Sequence, residues 1–589
     1  MEKSIEKLLL DTFKQERNEG INKVQSLEQA IKSHIQPGMK LHIREGSAAV
    51  TREVLKQFWG KKPGFTLIAS IINGYGLGLI HGGLVRKIIT SLSAEGRPAM
   101  KPARVVQRAY DEGKIEIENW SLFSLVQRLM AGAFGVGFMP TKSIIGSSMA
   151  IENEGSFQVI EDPFGSGREL GLVKALNPDL SLVHGWVADR YGNTITGPAR
   201  GAGEGAWGPK ASQGVVVTVE RLVSTDFIRR HAFLVDLPGY LVKSISVCPL
   251  GAHPGILVNP GLKRVEDYGE DYAFEDEMQQ AGENPRMLDA WIRQWALDCS
   301  SQDDYLHKLG SGRVAFLKGR AIKDSWKGEL KEVSGSLLAD EEARPKEMMI
   351  LAAARKIREK IFEQGYKTIL AGAGTAALAA WMAYCQLKGK GQDVNLLLGS
   401  GFWGYAPRPA DPSALSISSL ATCQMMTDVV DAYGVMVAGE NSRCLAVIGG
   451  GEIDKQGNVN STKIPGRLYL VGSGGSNDAV NAAEVIAVMN QSRSRFVDQV
   501  SYITCPGHRV RTLVSDFGIF EKLGGDNEFT LTGCLSTSEP PSLAEKIKAA
   551  QEKCGWSLKA SSSVQGLPVP EQDELVILRA LDPKGYFRV

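Results

Sequence analysis

The segment GEIDKQGNVNST, residues 451–462, has a shorter counterpart earlier in the chain, ADRYGNTIT at residues 188–196. Each copy follows an apolar run of the kind that forms a buried strand, and each contains an aspartate with Gly-Asn shortly after it. An aspartate at the first position of a turn accepts hydrogen bonds from backbone N–H groups, and Gly and Asn tolerate positive φ. Both copies are therefore predicted to fold as strand, tight turn, strand.

A second pair of related segments follows in the same order. Residues 242–249 (VKSISVCP), with His253 beyond them, resemble residues 497–506 (VDQVSYITCP), which are followed by Gly507 and His508. The members of both pairs are separated by roughly the same distance along the chain, which predicts one structural unit used twice.

The duplication favours two large domains in a chain that is too long for a single core. We predict domains over residues 1–330 and 344–589. The polar and charged residues 331–343, which contain a Ser-Gly-Ser, are predicted to be a linker between them.

The bulk composition limits the class of protein. With 43% apolar and 23% charged residues, the chain has the composition of an ordinary globular protein. Its 67 basic side chains nearly balance 66 acidic ones, so no general attraction to nucleic acid or to an anionic membrane is expected. No apolar run reaches the roughly 18 residues that span a bilayer. The N-terminus is charged where a signal peptide would be apolar, so a cytoplasmic location is predicted.

The eight cysteines are scattered through the chain. They form no Cys-x-x-Cys pair and no His/Cys cluster at metal-ligand spacing. We therefore predict reduced thiols and no metal site.

Strand and helix patterns alternate along the chain. Strand-like runs at 40–43, 65–69, 85–90, 180–184 and 214–219 are separated by helical patterns such as residues 121–133 and by a predicted glycine-rich loop at 74–76. A helical pattern at 347–362 and a strand at 367–370 then repeat the opening of the chain. This alternation predicts an α/β fold, made of two similar open halves with mainly parallel sheets and flanking helices.

The turn after the strand at 367–370 matches the dinucleotide fingerprint, with Gly372, Gly374 and Ala377 at the required spacing. A dinucleotide site also needs an acidic residue at the end of the next strand, whereas Asp393 precedes that strand. A tight strand-to-helix turn is thus favoured over an NAD site. Its backbone N–H groups could equally hold a carboxylate or a phosphate.

Two further glycine-rich turns follow predicted strands. One contains Gly472, Gly474, Gly475 and Asn477, and the other consists of Gly449, Gly450 and Gly451. Small residues at these places let a ligand approach the backbone closely and leave N–H groups free for an anion or oxyanion. The alternative for the first turn is a plain helix cap.

Among the acidic residues, Glu116 and Glu118 alternate on a strand-like stretch, so both point to one face. Glu118 directly precedes the helix that carries Arg128, and we predict that these two side chains meet across a cleft. The alternative is that Glu118 caps that helix. His253 and His508 are candidates for polar contacts. The chain has no convincing Ser-His-Asp arrangement and no Gly-x-Ser-x-Gly motif.

Ordered motifs along nearly the whole chain carry a resemblance to a known family. In the first half they are residues 131–133 and 138–141, Pro238-Gly239, and residues 251–254 and 304–310; in the second half they are residues 448–454, 457–462, 472–475, 495–497 and 504–507. In this order they resemble the class I CoA-transferase family, specifically a glutaconate CoA-transferase whose two subunits are fused.

The resemblance implies an enzyme that transfers CoA between carboxylic acids at a site between the two halves. It also implies that an acyl-CoA and a carboxylic acid are the substrates, that no cofactor is permanently bound, and that the protein is a homo-oligomer. Family members use a glutamate in a Glu-Ser-Gly sequence, which attacks the thioester and becomes a glutamyl-CoA thioester. The matching residues are Gly399, Ser400 and Gly401, so the resemblance implies that a glycine replaces the nucleophile.

Three activities remain open at the level of sequence. The chain is a transferase that recruits another carboxylate, such as Glu118 or Glu452, or transfers CoA directly within a ternary complex. Alternatively, it resembles hydrolases of this fold that cleave a carbon–carbon bond in a cyclic acyl-CoA, with Glu118 as general base. The aromatic residues near Gly399, Phe402, Trp403 and Tyr405, would suit a bulky acyl group. The third alternative is a non-catalytic acyl-CoA sensor.

Overall fold

The computed structural model describes residues 4–14, 20–197, 204–259, 261–263, 265–322, 324–337, 342–537 and 540–589. Each half of the chain is built around one large sheet, and helices cover the sheets. None of the described helices is long and apolar enough to cross a membrane.

The first half contains twelve strands among its described residues: β1 Lys40–Ile43, β2 Phe65–Ile72, β3 Val85–Glu95, β4 Lys101–Pro102, β5 Glu116–Asn119, β6 Phe138–Thr141, β7 Phe157–Glu161, β8 Glu169–Lys174, β9 Leu180–Ala188, β10 Thr194–Ile195, β11 Val215–Leu222 and β12 Val242–Val247. Its helices are α1 Ile5–Thr12, α2 Leu27–His34, α3 Ala48–Phe58, α4 Gly74–His81, α5 Arg104–Asp111, α6 Leu122–Phe134, α7 Ser148–Glu152, α8 Trp207–Ala211, α9 Thr225–Arg230, α10 Tyr272–Ala281, α11 Pro285–Ile292, α12 Gln302–Leu309, α13 Ser311–Arg320 and α14 Trp326–Val333.

The strands of the second half are β13 Thr368–Ala371, β14 Asn395–Leu398, β15 Phe402–Tyr405, β16 Met425–Met426, β17 Cys444–Ile448, β18 Glu452–Asp454, β19 Val459–Asn460, β20 Lys463–Ile464, β21 Leu468–Tyr469, β22 Glu484–Val488, β23 Phe496–Val497, β24 Val510–Val514, β25 Gly518–Glu521, β26 Thr530–Cys534 and β27 Lys559–Gly566. Its helices are α15 Pro345–Gln364, α16 Thr375–Gly389, α17 Ile417–Leu420, α18 Ser476–Ala479, α19 Leu543–Glu552 and α20 Gln572–Leu581, and Val430–Val437 forms a π-helical segment.

The two sheets have the same strand order at their centres. The first runs β12-β11-β9-β1-β2-β3 and the second runs β24-β22-β17-β13-β14-β15. The halves differ at one edge, because β3 is parallel to β2 whereas β15 is antiparallel to β14. Every residue of β9 and β17 is buried, as expected for central strands that are covered on both faces. The predicted α/β fold with two similar halves is confirmed.

The repeated turn has the same hydrogen bonds in both halves. Asp189 Oδ1 accepts from the backbone N–H groups of Tyr191 and Asn193, both at 3.0 Å, and the Asn193 side chain donates to Asp189 Oδ2 at 2.9 Å. Asp454 makes the equivalent bonds with residues 456 and 458, at the same three distances. Strands β9 and β10 flank the first turn and β18 and β19 flank the second, so the predicted strand-turn-strand structure is confirmed.

The predicted match between residues 242–249 and residues 497–506 has the wrong register. Asn193 Oδ1 accepts from the backbone N–H of Gly239 at 3.0 Å, and Asn458 Oδ1 accepts from that of Gly507 at 2.8 Å. Pro238-Gly239 therefore corresponds to Pro506-Gly507, and β12 corresponds to β24. The Cys-Pro match was misleading because Cys248 follows β12 whereas Cys505 precedes β24.

The glycine-rich stretch at 74–76 is not a loop, because it forms the first turn of α4. The side chains of Tyr75, Leu77 and Leu79 are at most 3% exposed. Burial of these apolar groups outweighs the low helix propensity of glycine.

Other predicted elements are confirmed. The Ser26 side chain accepts from the backbone N–H of Gln29 at the start of α2, and Ser121 caps α6 in the same way. Helix α14 continues past residue 330, and residues 338–341 of the predicted linker lie outside the described residues. The proposed domain boundaries stay a prediction.

Candidate functional site

The two halves meet along a seam in which the loop at residues 471–475 lies against strand β3. The backbone N–H of Ser93 donates to the carbonyl of Val471 at 2.8 Å, and that of Gly474 donates to the carbonyl of Ser91 at 2.9 Å. The loop thus pairs with the end of β3 as a short antiparallel segment, at a bridge between Leu92 and Gly472.

Gly472 is required by this pairing. Its φ is +110°, and a Cβ there would overlap the Ser91 carbonyl oxygen and lie 3.2 Å from the Cα of Leu92. The predicted close approach to the backbone exists, but the approaching group is strand β3. The prediction that Gly472 contacts a ligand is therefore not supported.

Asn477 and Asp478, on α18, fasten the seam with their side chains. The Asn477 side chain accepts from the backbone N–H of Ile144 at 2.7 Å and donates to the carbonyl of Thr504 at 2.8 Å. Asp478 accepts from the hydroxyls of Ser121 and Ser143 at 2.6 and 2.7 Å. Asn477 is 1% exposed and joins the two halves, and its role in ligand binding stays a prediction.

Asp478 is fully enclosed by the two halves and also accepts from the backbone N–H of Phe123 at 2.9 Å. Burial raises the pKa of its carboxyl to about 6, although these hydrogen bonds act in the opposite direction. The seam thus contains a carboxyl group that titrates near neutral pH.

Gly399, at the end of β14, lies against the hydroxyl of Tyr433. A Cβ at Gly399 would overlap this hydroxyl oxygen and lie 2.6 Å from Cζ of the ring. The place that a side chain at position 399 would take is filled by tyrosine, so no glutamate fits there without moving Tyr433.

Gly475 approaches the same atom from the other side. A Cβ at Gly475 would also overlap the Tyr433 hydroxyl and would lie 2.5 Å from Cζ. The structure therefore brings two of the predicted glycine turns together, with a single phenolic oxygen between Gly399 and Gly475. Gly401 has a φ of +96° and closes the tight turn after β14.

Tyr433 is a functional candidate that the sequence did not reveal. It lies on the π-helical segment Val430–Val437, is 5% exposed, and packs in an apolar cluster with Leu122 and Val126 of the first half. Burial, and next the nearby Asp478, raise the pKa of its hydroxyl, so the phenol is protonated at neutral pH. No sequence motif surrounds Tyr433. Its place in the structure is marked only by Gly399 and Gly475, which lie far from it in sequence.

The turn at Gly449, Gly450 and Gly451 packs mainly against its own hairpin. The backbone N–H of Gly451 donates to the carbonyl of Asn460 at 2.7 Å. A Cβ at Gly450 would overlap Val459, and a Cβ at Gly451 would lie 2.8 Å from Leu470 Cδ1. Gly449 alone has room around it, with the nearest atom at 3.6 Å.

The turn at Gly372 and Gly374 is enclosed by protein. A Cβ at Gly372 would lie 2.6 Å from the carbonyl oxygen of Val447, and a Cβ at Gly374 would lie 3.2 Å from the ring of Phe587. These contacts support the tight strand-to-helix turn that was favoured over a dinucleotide site.

Glu118 and Arg128 meet as predicted. Glu118 Oε1 accepts from Arg128 Nη1 at 2.6 Å and from Trp120 Nε1 at 2.8 Å, and Oε2 lies 2.8 Å from Lys87 Nζ. Burial alone would raise the pKa of Glu118, but Arg128 and Lys87 lower it overall. Because Ser121 caps α6, the alternative that Glu118 is the helix cap does not hold.

This ion pair borders a polar cavity of about 700 Å³, which Glu118 lines together with Lys87, Glu152 and Lys463. No residue of the turns at 399–401 or 472–475 lines it. The predicted Glu118–Arg128 pair and the glycine turns therefore lie at different places. A carboxylate with three donors and a lowered pKa is poorly suited to accept a proton, and the catalytic role of Glu118 stays a prediction.

The other sequence candidates have structural partners. Glu452 Oε2 accepts from the Asn460 side chain and from the Ser501 hydroxyl, both at 2.7 Å. His253 is buried and hydrogen-bonds with Asp271 at 3.0 Å and with Tyr305 at 2.6 Å. Among the described residues no group of three or more His, Cys, Asp or Glu side chains could hold a metal ion, and all eight cysteines are free thiols.

A second residue missed by the sequence reasoning is Glu204, which is fully buried in the first half. Its carboxylate lies 3.4 Å from His42 Nε2, and neither carboxylate oxygen forms a hydrogen bond among the described residues. Burial acts to raise the pKa of Glu204, but the neighbouring His42 lowers it overall. No sequence pattern indicated this residue, because it stands alone in a glycine-rich stretch.

Comparison with known proteins finds CoA-transferases that resemble this chain. A family model described as coenzyme A transferase matches residues 24–247. One of the two subunits of glutaconate CoA-transferase from Acidaminococcus fermentans is 25% identical over 330 residues, which cover 51% of this chain and 95% of that protein. The other subunit of the same enzyme is 24% identical over 266 residues, which cover 41% of this chain and 94% of that protein.

The chain is similar to CoA-transferases in sequence and in fold. Its length accommodates both subunits of the glutaconate CoA-transferase, as the resemblance implied. A solved acyl-CoA transferase of Escherichia coli O157:H7 shares the CoA-transferase fold along almost the entire chain, with a TM-score of 0.63 at 15% identity and coverage of 95% of this chain and 97% of that one.

Proposed function

We propose that this chain is an enzyme that transfers CoA between carboxylic acids, with an acyl-CoA and a free carboxylic acid as substrates. The proposal is carried by the meeting of the Gly399 and Gly475 turns where the two halves face each other. Relatives that each cover about two fifths to one half of the chain are named as CoA-transferases, which supports the same class of substrate.

The reaction in this chain does not use a glutamate at position 399, because that residue is glycine and Tyr433 fills the space beside it. Glu118 is bound by Arg128 and Lys87, and Glu452 is bound by Asn460 and Ser501. We therefore favour direct transfer in a ternary complex. The carboxylate of the acceptor acid attacks the thioester carbon, and CoA leaves as the thiolate. The thiolate then attacks the acceptor carbonyl of the mixed anhydride, the C–O bond of the anhydride breaks, and the donor acid leaves as its carboxylate.

A hydrolase that cleaves a carbon–carbon bond in a cyclic acyl-CoA is the second candidate. The glycine at position 399 favours it, because hydrolysis needs no nucleophile there. The predicted aromatic surface for a bulky acyl group is weaker than expected. Phe402 and Tyr405 are at most 1% exposed, and only Trp403 is partly accessible.

The test is a search for a covalent intermediate. The protein is incubated with glutaconyl-CoA and excess acetate, treated with borohydride or hydroxylamine, and analysed by mass spectrometry beside glutaconate CoA-transferase as positive control. We expect acetyl-CoA to form while no glutamate of this chain is modified. A modified glutamate would refute direct transfer and identify the nucleophile.

The same reactions in ¹⁸O-labelled water separate transfer from hydrolysis. Transfer leaves no label in the new thioester, whereas hydrolysis places label in the released acid. A carbon–carbon hydrolase would act on cyclic 1,3-dioxo acyl-CoA thioesters and give a labelled, ring-opened product, which would replace our first candidate by the second. Formation of a homo-oligomer also stays a prediction, which light scattering can test.

A further inference from the structure

The Tyr433 hydroxyl lies between two backbone turns but has no hydrogen-bond partner among the described residues. A tyrosine hydroxyl in a protein interior usually has a partner, so a hydroxyl without one is a candidate for contact with a ligand. The ring cannot easily turn away, because it is 5% exposed and packed in the apolar cluster of the seam. The fold therefore holds a polar group in a place where the protein itself does not use it.

The two turns that contain Gly399 and Gly475 leave further polar groups unused. The hydroxyls of Ser400 and Ser473 are buried and have no partner among the described residues. In the described part of the chain, the backbone N–H groups of Ser400 and Gly475 donate to no acceptor. Unsatisfied donors concentrated at one place are expected where a ligand supplies the missing acceptor.

We propose that the Tyr433 hydroxyl donates a hydrogen bond to the carbonyl oxygen of the acyl thioester and stabilises the negative charge that develops there. This inference rests on the proposed function, since it requires that an acyl-CoA binds at the seam. It assigns Tyr433 a catalytic role at the place that the family's glutamate would occupy. Gly399 is then the residue that makes room for the phenol.

The chemistry of the phenol suits this role. Its raised pKa keeps the proton on the hydroxyl at neutral pH, so the group is a donor before and during the reaction. As an acceptor carboxylate attacks the thioester carbon, the carbonyl oxygen gains negative charge and its hydrogen bond becomes stronger. No covalent bond to the enzyme forms. The same donor would serve an enolate or oxyanion in the hydrolase alternative.

The experiment uses a spectroscopic property of α,β-unsaturated thioesters. A hydrogen bond to the carbonyl oxygen polarises the conjugated system and shifts its absorbance to longer wavelength. Crotonyl-CoA, cinnamoyl-CoA and glutaconyl-CoA are titrated into the wild type, Tyr433→Phe and Tyr405→Phe, and their binding is measured by calorimetry. Tyr405→Phe is the matched control, because Tyr405 is also buried but its hydroxyl accepts from Trp381 Nε1 at 2.9 Å.

We expect the wild type and Tyr405→Phe to shift the absorbance of a bound probe equally, and Tyr433→Phe to lose the shift. Turnover of Tyr433→Phe should fall roughly 10²- to 10³-fold, as for other oxyanion-stabilising donors, while the dissociation constant of the probe changes less than about threefold. A merely structural tyrosine would not produce this separation of turnover from binding.

The two proposals fail differently. If a probe binds but Tyr433→Phe keeps the shift and the turnover, the role of Tyr433 is refuted while acyl-CoA binding stands. If none of the three thioesters binds to the wild type, the proposed function is refuted, and the role of Tyr433 with it. Should Tyr433→Phe fail to fold by circular dichroism, 3-fluorotyrosine at position 433 is used instead. Its more acidic phenol must enlarge the shift, and an unchanged shift would refute the role.

Discussion

Asp478 in the second half accepts a 2.6 Å hydrogen bond from the hydroxyl of Ser121 in the first. Because burial raises its pKa to about 6, the folded protein binds this proton more tightly than the unfolded chain, whose aspartates have pKa values near 3.9. The folded state therefore loses stability from this group as the pH rises from about 4 to about 6, and the loss is complete above that range.

We predict that Asp478→Asn removes this part of the pH dependence. The measurement is the urea midpoint of the wild type and the variant at intervals from pH 4 to 7. The difference between the two proteins should change with pH below about 6 and stay constant above it. Ser143→Ala is the control, since it removes one donor but keeps the carboxyl group. A constant difference across the whole range would contradict the prediction.

Gly399 and Tyr433 should be coupled in a double-mutant cycle. Gly399→Ala forces a methyl group onto the phenol and is expected to cost about 1–3 kcal/mol of unfolding free energy, and Tyr433→Ala about 3–5 kcal/mol. The loss of unfolding free energy in the double variant should be smaller than the sum of the two single losses by more than about 1 kcal/mol. The reason is that the cavity left by Tyr433→Ala has room for the methyl group introduced at position 399. Denaturant unfolding measures all four proteins. Additive losses would show that the two residues do not compete for one space.

Arg128→Met should be strongly destabilising. It leaves Glu118 without its partner at 2.6 Å and is expected to cost about 3–5 kcal/mol. Lys87→Met is the matched control. Its ammonium group also contacts Glu118 but is more exposed, so the expected cost is about 1 kcal/mol. Equal losses in thermal or urea unfolding would contradict this ranking.

The Glu118 carboxylate gives a second, pH-dependent test. Its pKa is lowered in the folded state, so its contribution to stability is present above the unfolded pKa of about 4.3 and is lost as the pH falls through the folded value. Glu118→Gln should therefore be less stable than the wild type at pH 7, and the difference should shrink below pH 4. Turnover of the same variant at pH 7 decides whether Glu118 is also catalytic, since a structural role alone leaves turnover of the folded protein intact.

Asn193 and Asn458 should contribute equally to stability. Each side chain donates to the aspartate of its turn and accepts from the backbone N–H of a following glycine. Replacing either by alanine removes both bonds and leaves a backbone donor unpaired, at a cost of about 1–3 kcal/mol. Calorimetric melting of Asn193→Ala and Asn458→Ala should give losses that agree within about 0.5 kcal/mol. A large difference would mean that the turns have diverged in role.

Much of the fold follows from local sequence signals. The alternation of strands and helices, the caps at Ser26 and Ser121, and the turns at Asp189 and Asp454 depend on neighbouring residues, and all are confirmed. The register of the second repeat was missed because it depends on bonds from Asn193 and Asn458 to residues about fifty positions away.

The candidate site was predictable only in part. The sequence identified the glycines, because small residues at strand ends are a local pattern. What each glycine accommodates is a tertiary property, since Gly472 approaches strand β3 and Gly399 approaches Tyr433. Tyr433 and Glu204 have no distinctive neighbours in sequence. Tyr433 is of interest because its hydroxyl has no partner among the described residues, and Glu204 because its carboxylate is buried without a hydrogen bond among them.

The pairing of residues 471–474 with β3 is made by peptide groups, which every amino acid shares. Substitutions that accumulate on either side of this seam therefore leave its hydrogen bonds unchanged, as long as position 472 remains glycine. Two polypeptides joined in this way can diverge in sequence without losing their mutual orientation. The geometry around Tyr433 would then be preserved while the surrounding side chains adapt to a different acyl group.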